Sequence, residues 1–356
     1  MKICFFPPPS TVGNKYIDIM IKCIKHINTR VELCEFVDIP SVKHFRNFLD
    51  TDYYHLNWYE SLPNSAFRFI FYFIRKFIVL LFLTLCRKKI IFVLHNKLPH
   101  ETKSRVLSSF IIKSLVIFSH KIIIHSNDSK EVLKSLLSSK LWQYKIVYMP
   151  HPHYIGAYPE NFENNIDFHK QDTLKLLFVG MLRPYKNIEM LIDTIKEIGN
   201  AKIELLIAGK PLTKAYGESL KQRISDCKQI KIDFKFIPDE KICKLLFQSH
   251  ILVLPYNIES SLNSGVAILA FSNQRTVICP LIGTIKDLRN REAVYYYNYS
   301  NFDDHKKKLR STILKAKEDF ENDTSIVISK GKILYQEMKE HHSLDIITER
   351  LKKVYS

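Results

Sequence analysis

The amino-acid sequence predicts an α/β protein built from two doubly wound domains, and three observations carry that expectation. A chain of 356 residues exceeds what one hydrophobic core usually organises. Short β-branched apolar runs alternate with helix-length amphipathic segments, the pattern of parallel strands joined by crossover helices. The alternation restarts after a polar stretch over residues 155–172, rich in Asn and acids and carrying Pro, which reads as an interdomain linker. The expected domains are residues 1–158 and 172–335.

The first half opens βαβ. Lys2 to Phe6 is a strand, and the turn Pro7 to Gly13 carries Ser and Gly of the kind that lets backbone approach a ligand. Lys15 to His26 is a helix and Val31 to Phe36 a second strand. Residues 52–60 combine aromatic and polar groups, either as a packed strand end or as a surface that stacks on sugar rings. Ile90 to Leu94, Lys121 to Ile124 and Lys145 to Met149 are buried strands. Each runs into a histidine-bearing turn, at His95-Asn96, His125 and His151. Such turns lie at the carboxyl edge of a parallel sheet, where ligands bind. Structural histidines and substrate contacts are both open readings. No metal is expected, because the spacings match no metal-ligand pattern.

Residues 66–89 are unusual in composition. Six cations (Arg68, Arg75, Lys76, Arg87, Lys88, Lys89) accompany no acid in an otherwise almost wholly apolar segment. The uninterrupted apolar run, Phe77 to Cys86, is about half of what a bilayer-spanning helix needs. On a helix, Arg68, Tyr72, Arg75 and Lys76 share a side, which suits lying in an anionic membrane interface; a core helix of the first domain is the other reading. The whole chain has Lys+Arg 53 against Asp+Glu 36, a net of +17 that favours anionic partners without choosing among them. Seven scattered cysteines without paired spacing point to reduced thiols in a cytosolic setting rather than a disulfide framework. The start, MKICFFPPPS, has too short an apolar core for a signal peptide.

In the second half, Leu174 to Val179 is a strand followed by Gly180 to Asn187, then a helix from Ile188 to Glu197. A strand at Lys202 to Ala208 ends in Gly209-Lys210-Pro211. Helix Tyr216 to Cys227, strand Ile232 to Ile237 and helix Glu240 to Gln248 follow. Residues 249–288 then read as strand, polar loop, helix and strand. Ile251 to Leu254 is the strand, Tyr256 to Asn263 the loop, and Asn263-Ser264-Gly265 the start of the helix. Free N–H groups and the positive end of a helix dipole at the carboxyl end of a strand can seat a phosphate, or Asn and Ser can simply cap the helix. Arg183 and Lys186 belong to the same edge. They are either exposed cations of a loop or, with that helix start, a grip on a diphosphate that also stabilises the charge developing as it leaves.

FVGMLRPYKNIEMLI, LLIAGKP, FIPDEKI, ILVLPY and SGVAILAFSNQRTVICP, in this order and spacing, are similar to the nucleotide-sugar domain of GT-B glycosyltransferases, in the group 1 (family 4-like) branch. The resemblance is specific over about residues 174–290. It is weaker before that, where HLNWYE, LHNKLPHE and MPHPHY resemble the acceptor domain of bacterial polysaccharide glycosyltransferases. It implies a GT-B fold: two Rossmann-like domains facing a cleft, an acceptor domain and a nucleotide-sugar donor domain, with a last helix over residues 340–356 packing back on the first. It also implies transfer of a sugar from a nucleotide-diphosphate sugar to a lipid-linked saccharide for capsule, exopolysaccharide or O-antigen, at the inner face of a cytoplasmic membrane. No cofactor beyond the donor is implied.

Carried over residue by residue, Arg183 and Lys186 match the basic pair on the donor diphosphate and Gly180 the glycine before it. Ser264 and Gly265 match the phosphate-contacting helix start, with Tyr256, Glu259, Ser261 and Asn263 in the adjoining loop. Pro238, with Phe236, matches the segment beside the nucleotide base. His95 matches a histidine facing the donor sugar, and Gly13, with Asn14, the acceptor-side loop; Asn96 and His151 are further acceptor candidates. The sequence departs from the family at Glu-x7-Glu, whose positions fall on Ser261 and Leu269, with Glu259 the one nearby acid. An inverting reaction would need an acceptor-side carboxylate base, for which Glu60 and Glu101 are the candidates. A nucleic-acid binder would explain the charge but has no recognition motif here, so no nucleic-acid partner is expected. A nucleotide-sugar epimerase of the same fold would need paired acids around the sugar.

Overall fold

A computed structural model describes residues 1–8, 14–27, 32–35, 45–62, 66–97, 105–137, 140–159, 172–199 and 202–356; Gly13 and Glu101 lie outside these. The chain divides into two compact units, Met1–Pro152 with His342–Ser356, and His153–His341.

In the first unit β1 (Lys2–Phe6), β2 (Glu32–Glu35), β3 (Tyr53–Asn57), β4 (Lys89–Leu94), β5 (Lys121–Ile124) and β6 (Ile146–Tyr148) form a parallel sheet in the order β2-β1-β3-β4-β5-β6. Its central strand β4 is buried from Ile90 to Leu94, as a parallel strand covered on both faces must be. The connecting helices are α1 (Lys15–Ile27), α2 (Phe45–Asp50), α3 (Ala66–Leu85), α4 (Arg105–Phe118) and α5 (Asp128–Leu136). Right-handed crossovers put α3 and α4, which step the sheet in one direction, on one face; α1 steps the other way and covers the opposite face.

Asn14 caps α1, its Oδ1 accepting Tyr16 N at 3.0 Å, so that side-chain oxygen is already committed. Helix α3 stops at Leu85 because Arg87 takes a left-handed conformation (φ 52) and Lys88 N donates back to Leu83 O at 2.9 Å. Five cysteines (23, 86, 227, 243 and 279) are free, but Cys4 on β1 is disulfide-bonded, correcting the expectation of thiols alone.

In the second unit β7 (Leu174–Val179), β8 (Ile203–Ala208), β9 (Ile230–Asp233), β10 (Ile251–Val253), β11 (Thr276–Pro280) and β12 (Tyr295–Tyr297) form a parallel sheet in the order β12-β11-β10-β7-β8-β9. Its helices are α6 (Ile188–Ile198), α7 (Lys214–Ile224), α8 (Asp239–Phe247), α9 (Gly265–Ser272), the short α10 (Gly283–Lys286), α11 (Phe302–Asn322) and α12 (Thr324–His341). Strand β9 ends at Asp233 rather than at Ile237. As an edge strand it pairs only with β8, and once Gly209 N has taken Asp233 O there is no further ladder to hold it.

The last helix, α13 (Leu344–Lys352), belongs to the first unit and packs on α1, burying Ile347 and Leu351 beside Tyr16, Ile17 and Met20. The final turn is fixed by Tyr355, whose hydroxyl meets His55 Nδ1 at 2.6 Å and whose carbonyl accepts Tyr53 OH at 3.0 Å.

Candidate functional site

In the second sheet the strand order reverses between β7 and β10, so one connection leaves β7 over one face and the next set leaves over the other. A crevice opens at the carboxyl ends of two such strands. The two loops that begin there are those singled out from sequence, Gly180–Asn187 after β7 and Leu254–Ser264 after β10. They are joined directly: Asn187 Nδ2 donates to Pro255 O at 2.9 Å.

The β7 loop is built for close approach. Gly180 has φ 122, and a Cβ there would lie 3.6 Å from Lys186 Nζ and 3.9 Å from Val266 in the first turn of α9. That short gap brings a cation and a helix N-terminus together over one residue lacking a side chain. Gly209, at the end of β8, has φ 145, and a Cβ on it would fall 1.8 Å from Gly180 O. Pro184 to Lys186 form a 3₁₀ turn, and Asn187 takes a left-handed conformation (φ 54, ψ 41) at the N-cap of α6.

Lys186 Nζ stands 5.8 Å from the Phe178 ring centroid, and among the described residues its ammonium has no hydrogen-bond or ion-pair partner. Burial, then the charge of Arg183, bring its pKa down to about 8. The Arg183 charge acting on the buried Lys186 ammonium marks a place that an anion would stabilise, and the anion would in turn restore the charge on Lys186.

The β10 loop presents a helix start. Ser264 is the N-cap of α9, its Oγ accepting Ala267 N at 3.0 Å, and its own N–H donates to Thr284 Oγ1 at 2.9 Å. Gly265 is the first helical residue. Tyr256 is buried, its hydroxyl bonded to the Ser264 side chain; burial raises its pKa despite that bond, so it stays neutral. Asn257 Oδ1 accepts Glu259 N at 2.8 Å and Ser261 N donates to Asn257 O at 2.9 Å, which leaves Glu259 exposed, Ser261 buried and Asn263 half-buried. Leu269 is buried in α9, so the second acid of the Glu-x7-Glu pattern has no counterpart at that position. Pro238 caps α8 beyond the edge strand, beside the exposed ring of Phe236.

The first unit gathers its histidines. His95, His125 and His151, each from the end of a different strand, surround the Tyr16 ring with centroids at 5.1, 5.4 and 5.2 Å. His95 also stacks on Trp58 at 4.1 Å and meets Asn57 Oδ1 through Nε2 at 3.1 Å. His125 is fixed by Tyr16 OH at 3.0 Å and Met149 O at 2.9 Å, and His151 by Pro152 O at 2.9 Å. Burial lowers the pKa of all three, holding the rings neutral. Among the described residues no group of three or more His, Cys, Asp or Glu could hold a metal ion.

Asn96 follows His95 and is half-buried. Glu60 is buried, its Oε2 lacks a hydrogen-bond partner among the described residues, and burial pushes its pKa up to about 7. Sequence reasoning gave no individual role to Tyr16, Asn187, Gly209 or Thr284, and had Trp58 only within the aromatic stretch 52–60. Of the four, only Gly209, a glycine directly after a strand, carried a readable signal.

Two nucleotide-binding-type sheets in one chain, with an anion-ready crevice at the switch point of the second, are the GT-B glycosyltransferase fold. A crystal structure of Anabaena Alr3699/HepE in complex with UDP and glucose has a TM-score of 0.72 at 14% identity, covering 100% of this chain and 99% of that one. Sucrose-phosphate synthase (tll1590) from Thermosynechococcus elongatus has a TM-score of 0.71 at 13% identity, covering 100% and 98%. Residues 160–261, all within the second unit, match the family model described as Glycosyl transferases group 1. A GDP-mannose:glycolipid 4-beta-D-mannosyltransferase of Xanthomonas campestris pv. campestris is 27% identical over 106 residues, which is 30% of this chain and 30% of that protein. The second unit therefore carries a group 1 glycosyltransferase segment.

Proposed function

We propose that the protein transfers a hexose from a nucleotide-diphosphate sugar to a lipid-linked saccharide acceptor, at the inner face of a bacterial cytoplasmic membrane, in building capsule, exopolysaccharide or O-antigen. The carrying observation is the juxtaposition of Arg183, Lys186 and the N-terminus of α9 around Gly180. The diphosphate lies on the Gly265 end of α9, with Lys186 and Arg183 meeting the charge that grows as the sugar–phosphate bond breaks. These cations supply the electrostatic stabilisation, and the donor is a substrate, so no resident cofactor or metal takes part. Tyr256, Ser261, Asn263 and Glu259 line the sugar and ribose side, and Pro238 with Phe236 flanks the base.

His95 is the histidine matched to the donor sugar, and Asn14, Asn96 and His151, with Gly13, are the acceptor candidates. Glu60 and Glu101 are the bases to test if the reaction inverts. The lipid-linked acceptor is supported by the glycolipid named for the Xanthomonas relative and by the apolar segment at residues 66–89. Lys186→Ala and Arg183→Ala should each weaken nucleotide-sugar binding by about tenfold or more, roughly the worth of one charge-assisted contact. Calorimetric titration with UDP- and GDP-sugars checks this, and unchanged binding in both variants would remove the proposed site. Binding to the wild type should also weaken as pH rises through about 8, where Lys186 loses its proton.

A further inference from the structure

The side of α3 left in solvent is not the basic one. Lys76, grouped by sequence with Arg68, Tyr72 and Arg75, is buried, and its Nζ donates to Tyr59 O and Ser61 O, each at 2.7 Å, beside the Tyr59 ring at 4.8 Å. It ties α3 to the connection after β3. What faces outward is a stripe at helical spacing: Ile70, Ile74, Ile78, Leu81 and Leu85, with Phe71 beside it. Ile78 is 57% exposed and Leu85 81%.

Helix α4 continues this face. Phe110 packs on Phe73 and Phe77, with centroids at 5.8 and 5.2 Å, yet stays partly exposed, and one turn before it Val106 is 77% exposed; Ile117 is open farther along. A run of exposed branched and aromatic residues along about 22 Å of helix, widened by a second helix, is larger than a soluble surface ordinarily leaves uncovered.

We propose that the joint outer face of α3 and α4 docks on an anionic phospholipid surface, its apolar stripe entering the headgroup boundary and its marginal cations meeting lipid phosphates. Charge selects this occupant. Neither helix contains an acidic residue, and Arg68 and Lys113 are exposed at the margins. Arg87 is exposed just past the end of α3, whereas the neighbouring Lys88 and Lys89 ammoniums are committed to Leu49 O and Thr51 O, and to Tyr53 OH. A second copy on this face would set cations against cations, because a two-fold contact brings the same patch to itself. The helices lie flat: among the described residues no helix is long and apolar enough to cross a membrane.

Flotation with phosphatidylcholine vesicles, with and without phosphatidylglycerol, tests this on the full chain. The wild type should float with the anionic vesicles, less so at high salt. Ile74→Asp with Ile78→Asp should reduce partitioning about tenfold or more; Phe71→Ser with Ile78→Ser repeats the test without added charge. Arg68→Glu with Lys113→Glu should remove the preference for phosphatidylglycerol. Ile333→Asp, an exposed apolar position on α12, should change nothing. Far-UV spectra and nucleotide-sugar binding, expected to be unchanged in every variant, separate loss of docking from misfolding and from failure of the donor-site reading. A wild type that stays with neither vesicle, stripe variants that float normally, or a stripe that instead holds a dimer in sedimentation would each overturn the proposal.

Discussion

At the scale of single residues, the donor edge depends on two glycines that carry no chemistry of their own. Gly180 leaves open the space between Lys186 Nζ and Val266, and Gly209 lets β8 pass under the Gly180 carbonyl. A methyl on Gly209 has to displace backbone in a conformation, φ 145, that L residues avoid. Gly209→Ala should therefore destabilise the second unit by on the order of 3 kcal/mol, overpacking and backbone strain together, and shift the β7 loop. Urea denaturation followed by nucleotide-sugar titration checks both effects, and a fully stable variant with wild-type affinity would refute the close approach. Sequence showed which cations and which glycine precede the helix after β7. It did not show Asn187 or Thr284, since an Asn in a left-handed turn and a Thr two loops away acquire meaning only from the backbone groups they meet. Lys76 was misplaced for a related reason: helical periodicity says which residues share a side but not which side the sheet covers.

At the scale of elements, α9 is held by a cap rather than by amphipathicity. Its residues Ala267 to Ser272 are all buried, so neither face is solvated, and the one specific determinant of where it begins is Ser264. Ser264→Ala should cost about 1 kcal/mol and, by freeing Ala267 N–H and loosening the Tyr256 hydroxyl, soften the helix start. Ser264→Gly should cost less. Thermal unfolding of the pair separates the cap from packing, and equal stability of all three proteins would show that Ser264 is not setting the helix start. The strands of this unit were legible because parallel strands buried on both faces are continuous apolar runs with polar turns at their carboxyl ends. The edge strand was not, since the apolar residues after Asp233 suggest a longer strand than one neighbour can hold. The switch point between β7 and β10 was likewise unreadable, because strand order depends on pairings between segments distant in sequence.

At the scale of the whole molecule, buried neutral histidines make stability depend on pH in a definite direction. His55 and His151 are lowered to about 3 and His125 to about 4, with His95 well below its ordinary value, all mainly through burial; His250, about 3, and His305, about 4, follow in the second unit. A group whose folded pKa lies below its unfolded value leaves the unfolded chain binding more protons as pH falls, so its contribution is full above about 6.5 and is lost between there and the folded values of about 3 to 4. Each histidine brought down to about 3 or 4 costs roughly 2 kcal/mol by pH 5, and His95 acts in the same direction. Glu60, raised to about 7, works the other way, the folded carboxyl holding a proton that the unfolded one releases above about 4.5. One carboxyl cannot offset four histidines in the first unit. Acid should therefore unfold the first unit before the second, with a steep loss of stability between pH 6.5 and 5 that appears in near-UV circular dichroism as the Tyr16 and Trp58 environment is released. Stability unchanged over that range would show that the histidine cluster is hydrated or protonated in the folded protein.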